Sequence, residues 1–279
     1  MKRFGTGPVV AAAVLGLFVL VAVLGPVLVP YDSVATRVGD RLLAPGSTAS
    51  DGSFALLGTD QNGRDVLAQV IAGSRVSLLV GISVVVAGVL VGLVLGLLAG
   101  YYGGWLDTII SRLGDMQLAF PSILLAILLA GALGPSLTNV IVALAVTRWV
   151  IFARVVRGSA LTTKGREFVE SARVMGASDL RILAHYILPS CVQPLLVAAT
   201  VQVGLTMVAE AALSFLGLGV PVDQASWGST IANGRDYLAS AWWIAAVPGI
   251  ALTLVVICVG VLGDAARDES DPAKEVVAR

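Results

Sequence analysis

Residues 76–100 read VSLLVGISVVVAGVLVGLVLGLLAG, a run from Val76 to Gly100 without one charged side chain. At 1.5 Å per residue a helix of this length reaches about 37 Å, more than the roughly 30 Å of hydrocarbon in a bilayer. Backbone groups in lipid find no water, so an unbroken apolar run this long reads as a membrane-spanning helix. Within it Gly88, Gly92, Gly96 and Gly100 recur at every fourth position and stack on one helical face. Lipid supplies no hydrophobic drive between helices, so a line of small residues marks where another backbone packs closely. The spacing predicts tight packing within the chain rather than contact between copies.

Five more stretches have the length and polarity of spans: Pro8–Val29, Leu113–Leu133, Leu137–Val156, Leu188–Leu216 and Trp243–Leu262. The fourth of the six, Leu137–Val156, is interrupted by Arg148. The whole chain is 57% hydrophobic and 13% charged, with a mean hydropathy of +0.92. Soluble domains carry about 25% charge, so composition agrees with a polytopic, all-α membrane protein of six helices. Cys191 and Cys258 lie in apolar runs, match no metal spacing and read as buried inert thiols. The first run is long for a signal peptide and has no small-residue cleavage signal, Gly25-Pro26 and Pro30 standing there instead, so it reads as a retained span.

Placing the N-terminus inside puts Lys2, Arg3, Arg112, Arg154, Arg157, Lys164, Arg166, Arg173, Arg181, Arg267, Lys274 and Arg279 on the cytoplasmic side. Only Arg37, Arg41, Arg64, Arg75 and Arg235 then fall outside, and the positive-inside rule fixes that orientation, with both termini cytoplasmic. The chain divides into a tail and first helix (1–30), an outer loop (31–75), a five-helix core (76–262) containing a cytoplasmic loop (154–189), and a tail (263–279). The first half of the outer loop reads as coil. From Asp65 it reads as an amphipathic helix lying on the membrane surface. Trp105, Trp227, Trp242 and Trp243 sit near span ends, where interfacial anchors belong.

The sequence contains no G-x-x-x-x-G-K-[ST] phosphate loop, dinucleotide-binding glycine fingerprint or H-E-x-x-H. His185 is the single histidine, which excludes His-paired catalysis and multi-histidine metal sites. Equal numbers of acidic and basic residues give no argument for nucleic acid. Any ATP hydrolysis must come from another chain.

The cytoplasmic loop carries the most structure. Glu170-Ser171-Ala172 is followed after three residues by Gly176, and Leu188-Pro189 closes the segment. Gly176 suits a helix C-terminus, because glycine accepts positive φ. Ser178 or Asp179 can then N-cap a second short helix bounded by Pro189. The expected element is a compact helix–turn–helix below the membrane, and the plainer alternative is a basic loop serving topology alone.

This pattern resembles the EAA-x3-G-x9-I-x-LP signature of membrane subunits of ABC importers, with Ser171 and Tyr186 replacing an alanine and an isoleucine. Residues Leu57 to Leu67 (LGTDQNGRDVL) are similar to a segment of the dipeptide/oligopeptide/nickel permeases. So are Ala212–Val220, Ser226-Trp227-Gly228 and the Leu262-Gly263-Asp264…Arg267-Asp268…Asp271-Pro272 series, in the pattern of a DppC/OppC-like subunit. The resemblance implies a MetI-like type I permease for peptides, nickel chelates, glutathione or another small solute. It implies a second homologous permease, two cytoplasmic ATPases that bind ATP and Mg, and an extracytoplasmic binding protein. It assigns ATPase coupling to Glu170, Ser171, Ala172, Gly176, Ala177, Ser178, Asp179, Leu188 and Pro189, with no cofactor, metal or catalysis in this chain. A stand-alone secondary transporter is a poorer fit, since neither broken spans nor repeats are evident. A membrane enzyme lacks the residues for catalysis.

On the fifth span Gln202, Thr206, Glu210 and Ser214 recur every four residues along one face. Polar groups avoid lipid, so the stripe either lines a translocation path or bonds to a neighbouring helix. Glu210 lies about 30 Å beyond Pro189, near the outer end, where ionisation is affordable and gating or packing suits it better than proton carriage. Arg148 either snorkels inward or pairs with Asp115. The segment from Leu216 to Ala241, with Asp223, Asn233, Arg235, Asp236 and Tyr237, reads as an exposed polar loop or a contact for the binding protein.

Overall fold

The computed structural model describes residues 6–28, 36–221 and 224–269. Lys2, Arg3, Asp223, Lys274 and Arg279, which entered the topology and loop expectations, lie outside them. The described chain is helical: α1 (Thr6–Leu28), α2 (Val66–Tyr102), α3 (Gly104–Leu118), α4 (Ser122–Leu133), α5 (Leu137–Lys164), α6 (Glu167–Val174), α7 (Asp179–Ile182), α8 (Leu188–Phe215), α9 (Trp227–Gly234) and α10 (Trp243–Glu269). Five helices are long and apolar enough to cross a membrane, and the pair α3–α4 supplies a sixth crossing if counted as one span.

The glycine line packs as its spacing predicts. A Cβ on Gly92 would stand 2.5 Å from the Phe152 Cβ and 2.8 Å from the Trp149 carbonyl oxygen on α5. One on Gly96 would meet the Ala153 carbonyl at 2.6 Å, and one on Gly100 the Ala160 Cβ at 2.7 Å. No side chain larger than hydrogen fits along this seam, so α2 and α5 approach backbone to backbone within one chain. Around it Val85, Tyr101, Phe152, Val156, Ala160 and Cys191 form a buried cluster. The other thiol, Cys258, is buried on α10.

Three expected spans change shape. Residues 65–75 do not lie on the membrane surface. They begin α2, whose first turn is capped by the Asp65 carboxylate accepting from the Ala68 amide at 3.0 Å. The resulting 37-residue helix is about 55 Å long. The span expected at Leu113–Leu133 starts earlier, at Gly104, and is bent by 86° between α3 and α4. Pro121 has no amide proton and disfavours helical backbone at Phe120, so the helix breaks there. The two pieces still follow α5 end to end. Asp107 pairs with Arg157 at 2.5 and 2.7 Å, Gln117 accepts from the Trp149 indole at 2.7 Å, and Ala126 and Ala130 cluster with Val140 and Leu144. Finally, Pro189 does not end the short helix after Gly176. A π-helical turn over Leu183–Ile187 lets the Leu188 amide bond to the Leu183 carbonyl. Pro189 then needs no donor, and α7 runs into α8 as one rod from Asp179 to Phe215.

The segment ahead of α2 is knit rather than coiled. A two-stranded hairpin pairs Ser47 with Ala55 and Thr48 with Phe54. The buried Asp40 carboxylate accepts from the Ser50 amide at 2.8 Å and from its hydroxyl at 2.9 Å. Ser53 hydrogen bonds, with Arg37 beside them, hold the exposed Asp51 carboxyl below the usual range. The stretch expected as an exposed polar loop contains α9. Ser226 opens α9 with a reciprocal capping box to Ser229, and Gly228 and Gly234 bring it against the backbones of Ala211 and Ala245. Trp227 and Trp243 are therefore buried, contrary to their expected role as anchors, with indoles bonded to the carbonyls of Val70 and Thr59. Trp105 and Trp242 are exposed, as anchors require.

Replacing Gly92 by valine should cost about 1–3 kcal/mol through overpacking of this seam, lowering both membrane yield and melting temperature. Gly158→Ala, where a Cβ meets nothing within 4 Å, should leave both unchanged. Equal size-exclusion profiles and melting for the two variants would show the seam to be loose.

Candidate functional site

Helix α6 grows from the end of α5 after a turn at Gly165 and Arg166. Its Val169 and Ala172 are buried at i and i+3, which turns Glu170, Ser171 and Arg173 outward. Two reciprocal bonds close the helix: the Ala177 amide to the Ala172 carbonyl and the Gly176 amide to the Arg173 carbonyl, both 3.0 Å. That pattern requires a left-handed residue, and Gly176 adopts φ +82°. Ser178 occupies the cap position of α7 through its extended backbone, without a side-chain cap bond.

Asp179 takes another role: its carboxylate accepts from the Tyr101 hydroxyl at 2.5 Å, tying α7 to the last turn of α2. Ile182 and Ile187 are buried in the cluster beneath the glycine seam. Tyr186, at the isoleucine position of the signature, stacks its ring 5.9 Å from that of Phe168 on α6. Leu188 is half-buried and Pro189 exposed at the start of α8. The element is thus a fixed extension of α2, α5 and α8. Beside its exposed polar side chains it presents apolar ones: Val174, Met175 and Leu180 are 89%, 80% and 77% exposed around Gly176. Soluble surfaces carry such residues singly, and three at one turn mark a contact surface.

The polar stripe of α8 is buried against other helices. Glu210 is 0% exposed, five residues before the helix ends. Its two carboxyl oxygens accept from Ser77 of α2 at 3.2 Å and Ser214 at 2.8 Å. Ser226 reaches Ser214, and the Trp227 amide reaches Ser77, both at 3.4 Å. The expectation of a solvated position at the outer end is corrected here, because α9 covers it. Lower on the stripe, Gln202 accepts from Arg148 Nη1 at 3.3 Å, and the buried Thr206 hydroxyl has no hydrogen-bond partner among the described residues. Arg148 neither snorkels free nor pairs with Asp115: its guanidinium turns to α8, and Asp115 is taken by Arg154 at 2.7 Å. Ser77 and Tyr101 are not legible as site residues in sequence, where a lone hydroxyl in an apolar run gives no signal of its partner. Among the described residues no cluster of three His, Cys, Asp or Glu side chains is placed to hold a metal.

Comparison with known proteins agrees along nearly the whole chain. Residues 92–275 match the family model of the binding-protein-dependent transport system inner membrane component. A putative peptide transport system permease protein of Brucella suis is 43% identical over 260 residues, covering 93% of this chain and 86% of that one. The di/tripeptide transport system permease protein DppC of Pseudomonas aeruginosa is 40% identical, covering 92% and 84%. The glutathione transport system permease protein GsiD of Pectobacterium atrosepticum is 40% identical, covering 97% and 89%. Among solved structures, the MetNI methionine ABC transporter in inward-facing form superposes with a TM-score of 0.59 at 21% identity, covering 72% of this chain and 95% of that one.

Replacing Glu210 by leucine should strand the Ser77 and Ser214 hydroxyls and destabilise the fold by roughly 1–3 kcal/mol, whereas glutamine, which keeps an acceptor, should cost less. Thermal unfolding followed by a thiol-reactive dye would read this through the buried Cys191 and Cys258. Equal melting of the two variants would remove Glu210 from the network.

Proposed function

The chain belongs to the binding-protein-dependent transport system inner membrane component family, and from that premise we propose that it couples ATPase closure to peptide passage through the turn at Gly176. It is a multi-pass permease subunit of an ABC importer in the bacterial inner membrane, with the MetI-like fold. Its substrates are short peptides or peptide-like solutes; the relatives named for di- and tripeptides and for glutathione support this class. A second, homologous permease completes the pathway. Two ATPase subunits hold ATP and Mg at the Gly176 end, and a binding protein delivers substrate at the other end. This chain contributes no catalysis.

The observation that carries the reading is the exposed apolar turn of Val174, Met175 and Leu180 on a rigid base. The same end carries Arg154, Arg157, Lys164, Arg166, Arg173, Arg181 and Arg267, which supports its cytoplasmic placement. Docking exerts force only if the docked element cannot give way. Here Tyr101–Asp179 fastens it to α2, and the Asp179–Phe215 rod carries its displacement across the membrane. ATP drives the cycle to the extent that its binding favours one arrangement of these spans over another.

Gly176→Asp tests this assignment. Among the described residues a Cβ at Gly176 meets nothing within 4 Å, and the strain of a side chain at φ +82° is confined to the exposed turn, so the subunit should still insert. Gly176→Asn, which carries the same strain without the charge, is the control. In the assembled transporter the new charge would face the ATPase. Uptake should fall roughly thirtyfold or more, the consequence of losing about 2 kcal/mol at a docking hot spot. Uptake at the wild-type rate would overturn the assignment.

A further inference from the structure

A cavity of about 570 Å³ opens at the end of the chain opposite Gly176. Its walls include Gln61 and Arg64 from the segment ahead of α2, Ser214 and Phe215 at the end of α8, and Arg235 and Asp236 after α9. The volume falls within the range of small-molecule sites, about 300–1,000 Å³.

The two arginines differ in how far they are satisfied. Arg235 donates to Asp236 at 3.3 Å, and its guanidinium lies 5.5 Å from the centre of the Phe215 ring. Arg64 is held firmly by its backbone, its amide donating to the Asp60 carboxylate and its carbonyl accepting from the Asp60 amide, both at 2.9 Å. Its side chain, in contrast, has no hydrogen bond or ion pair among the described residues, and its Nε is shut from solvent without a partner. The Gln61 Oε1 is likewise buried and unpartnered. A buried polar atom left unmatched is costly, and here two residues that line one cavity both bear that cost.

Two arginines against one aspartate leave the named walls one positive charge in excess. The Arg64 guanidinium, without a partner among the described residues, presents a planar fork that matches a carboxylate. On the floor, Ser214 already donates to Glu210, so the cavity stands at the outer end of the polar stripe descending α8 through Thr206 to Gln202. We propose that this cavity receives the carboxylate terminus of the imported solute on Arg64. The proposal rests on the peptide-permease reading and adds to it a solute contact in the permease itself. A carboxylate could also reach Arg64 from an acidic side chain of the binding protein, and the experiment separates the two.

The transporter, purified with its partner subunits and placed in nanodiscs, is probed with dialanine and with dialaninamide by saturation-transfer NMR. Dialanine should receive saturation and the amide several-fold less. Arg64→Gln should abolish the dialanine signal, and Arg64→Lys should retain part of it. In proteoliposomes with saturating binding protein, Arg64→Gln should lower maximal dialanine uptake about tenfold while leaving the half-saturating concentration of binding protein unchanged. Co-purification of the ATPases and unchanged melting would show that the variant is assembled. Equal signals from dialanine and its amide would overturn the proposal. So would an unchanged dialanine signal with a raised half-saturating concentration of binding protein, which would assign Arg64 to that protein. Wild-type transporter that carries no dialanine would sink the peptide reading itself, whereas wild-type and Arg64→Gln transporters carrying it equally would sink only this proposal.

Discussion

The close approach of α2 and α5 along Gly88, Gly92, Gly96 and Gly100 is the constraint on which the other contacts depend. In lipid the spans gain nothing by hiding apolar surface from one another, so association falls to dispersion and to shape. A seam of hydrogens against Phe152, Ala153 and Ala160 allows more atoms into contact than any pair of larger side chains would. It also fixes the rotation of both helices, since turning either would drive a side chain into a backbone. With α2 and α5 set, Tyr101 is delivered to Asp179, Asp107 of α3 meets Arg157, and Ser77 faces Glu210.

Each of these secondary contacts is polar and each joins an element that the seam does not touch. The Tyr101–Asp179 bond fastens the turn at Gly176, and the Asp107–Arg157 pair begins the bent α3–α4 crossing. The Ser77–Glu210–Ser214–Ser226 chain holds α9 over the far end of α8. A hydroxyl bonded to a carboxyl group away from water is strong enough to specify a position and loses its alternative partners once buried. The apolar seam thus supplies the close packing, and the polar bonds, buried at Glu210 and part-buried at Asp179 and Asp107, locate the elements around it.

The glycine seam was legible in sequence because its information is local: a four-residue period is a property of one helix. The turn at Gly176 was legible for the same reason, since a left-handed cap is written in the residue that adopts it. The breaks and joins were harder to see. Hydropathy averages over about twenty residues and passed across Phe120-Pro121, although the proline itself carried the signal for a break. The same residue type misled at Pro189, where the π turn over Leu183–Ile187 removed the need for a donor. Trp227 and Trp243 were assigned by depth alone. Depth gives the interfacial expectation for any tryptophan near a span end and contains nothing about the elements that pack around Trp227 and Trp243. Glu210 failed likewise: its distance along α8 was read well, and its burial depends on a segment twelve or more residues away in the chain.

Polar accounting separates the two kinds of site that remain. The segment ahead of α2 satisfies buried groups internally, Asp40 by Ser50 and Thr59 by Asp40 and Leu43, and its Asp60 accepts from Gln69 of α2. A fold able to match those groups over so short a stretch has no general difficulty with hydrogen bonding there. Arg64 and Gln61 go unmatched only where the segment meets the cavity, although Arg64 lies one residue before the Asp65 cap and shares its rigid backbone. A loosely packed wall would instead let the arginine swing into water and recover its hydration. Its Nε is already out of water, so the cost of burial falls on the folded chain whether or not the cavity is filled.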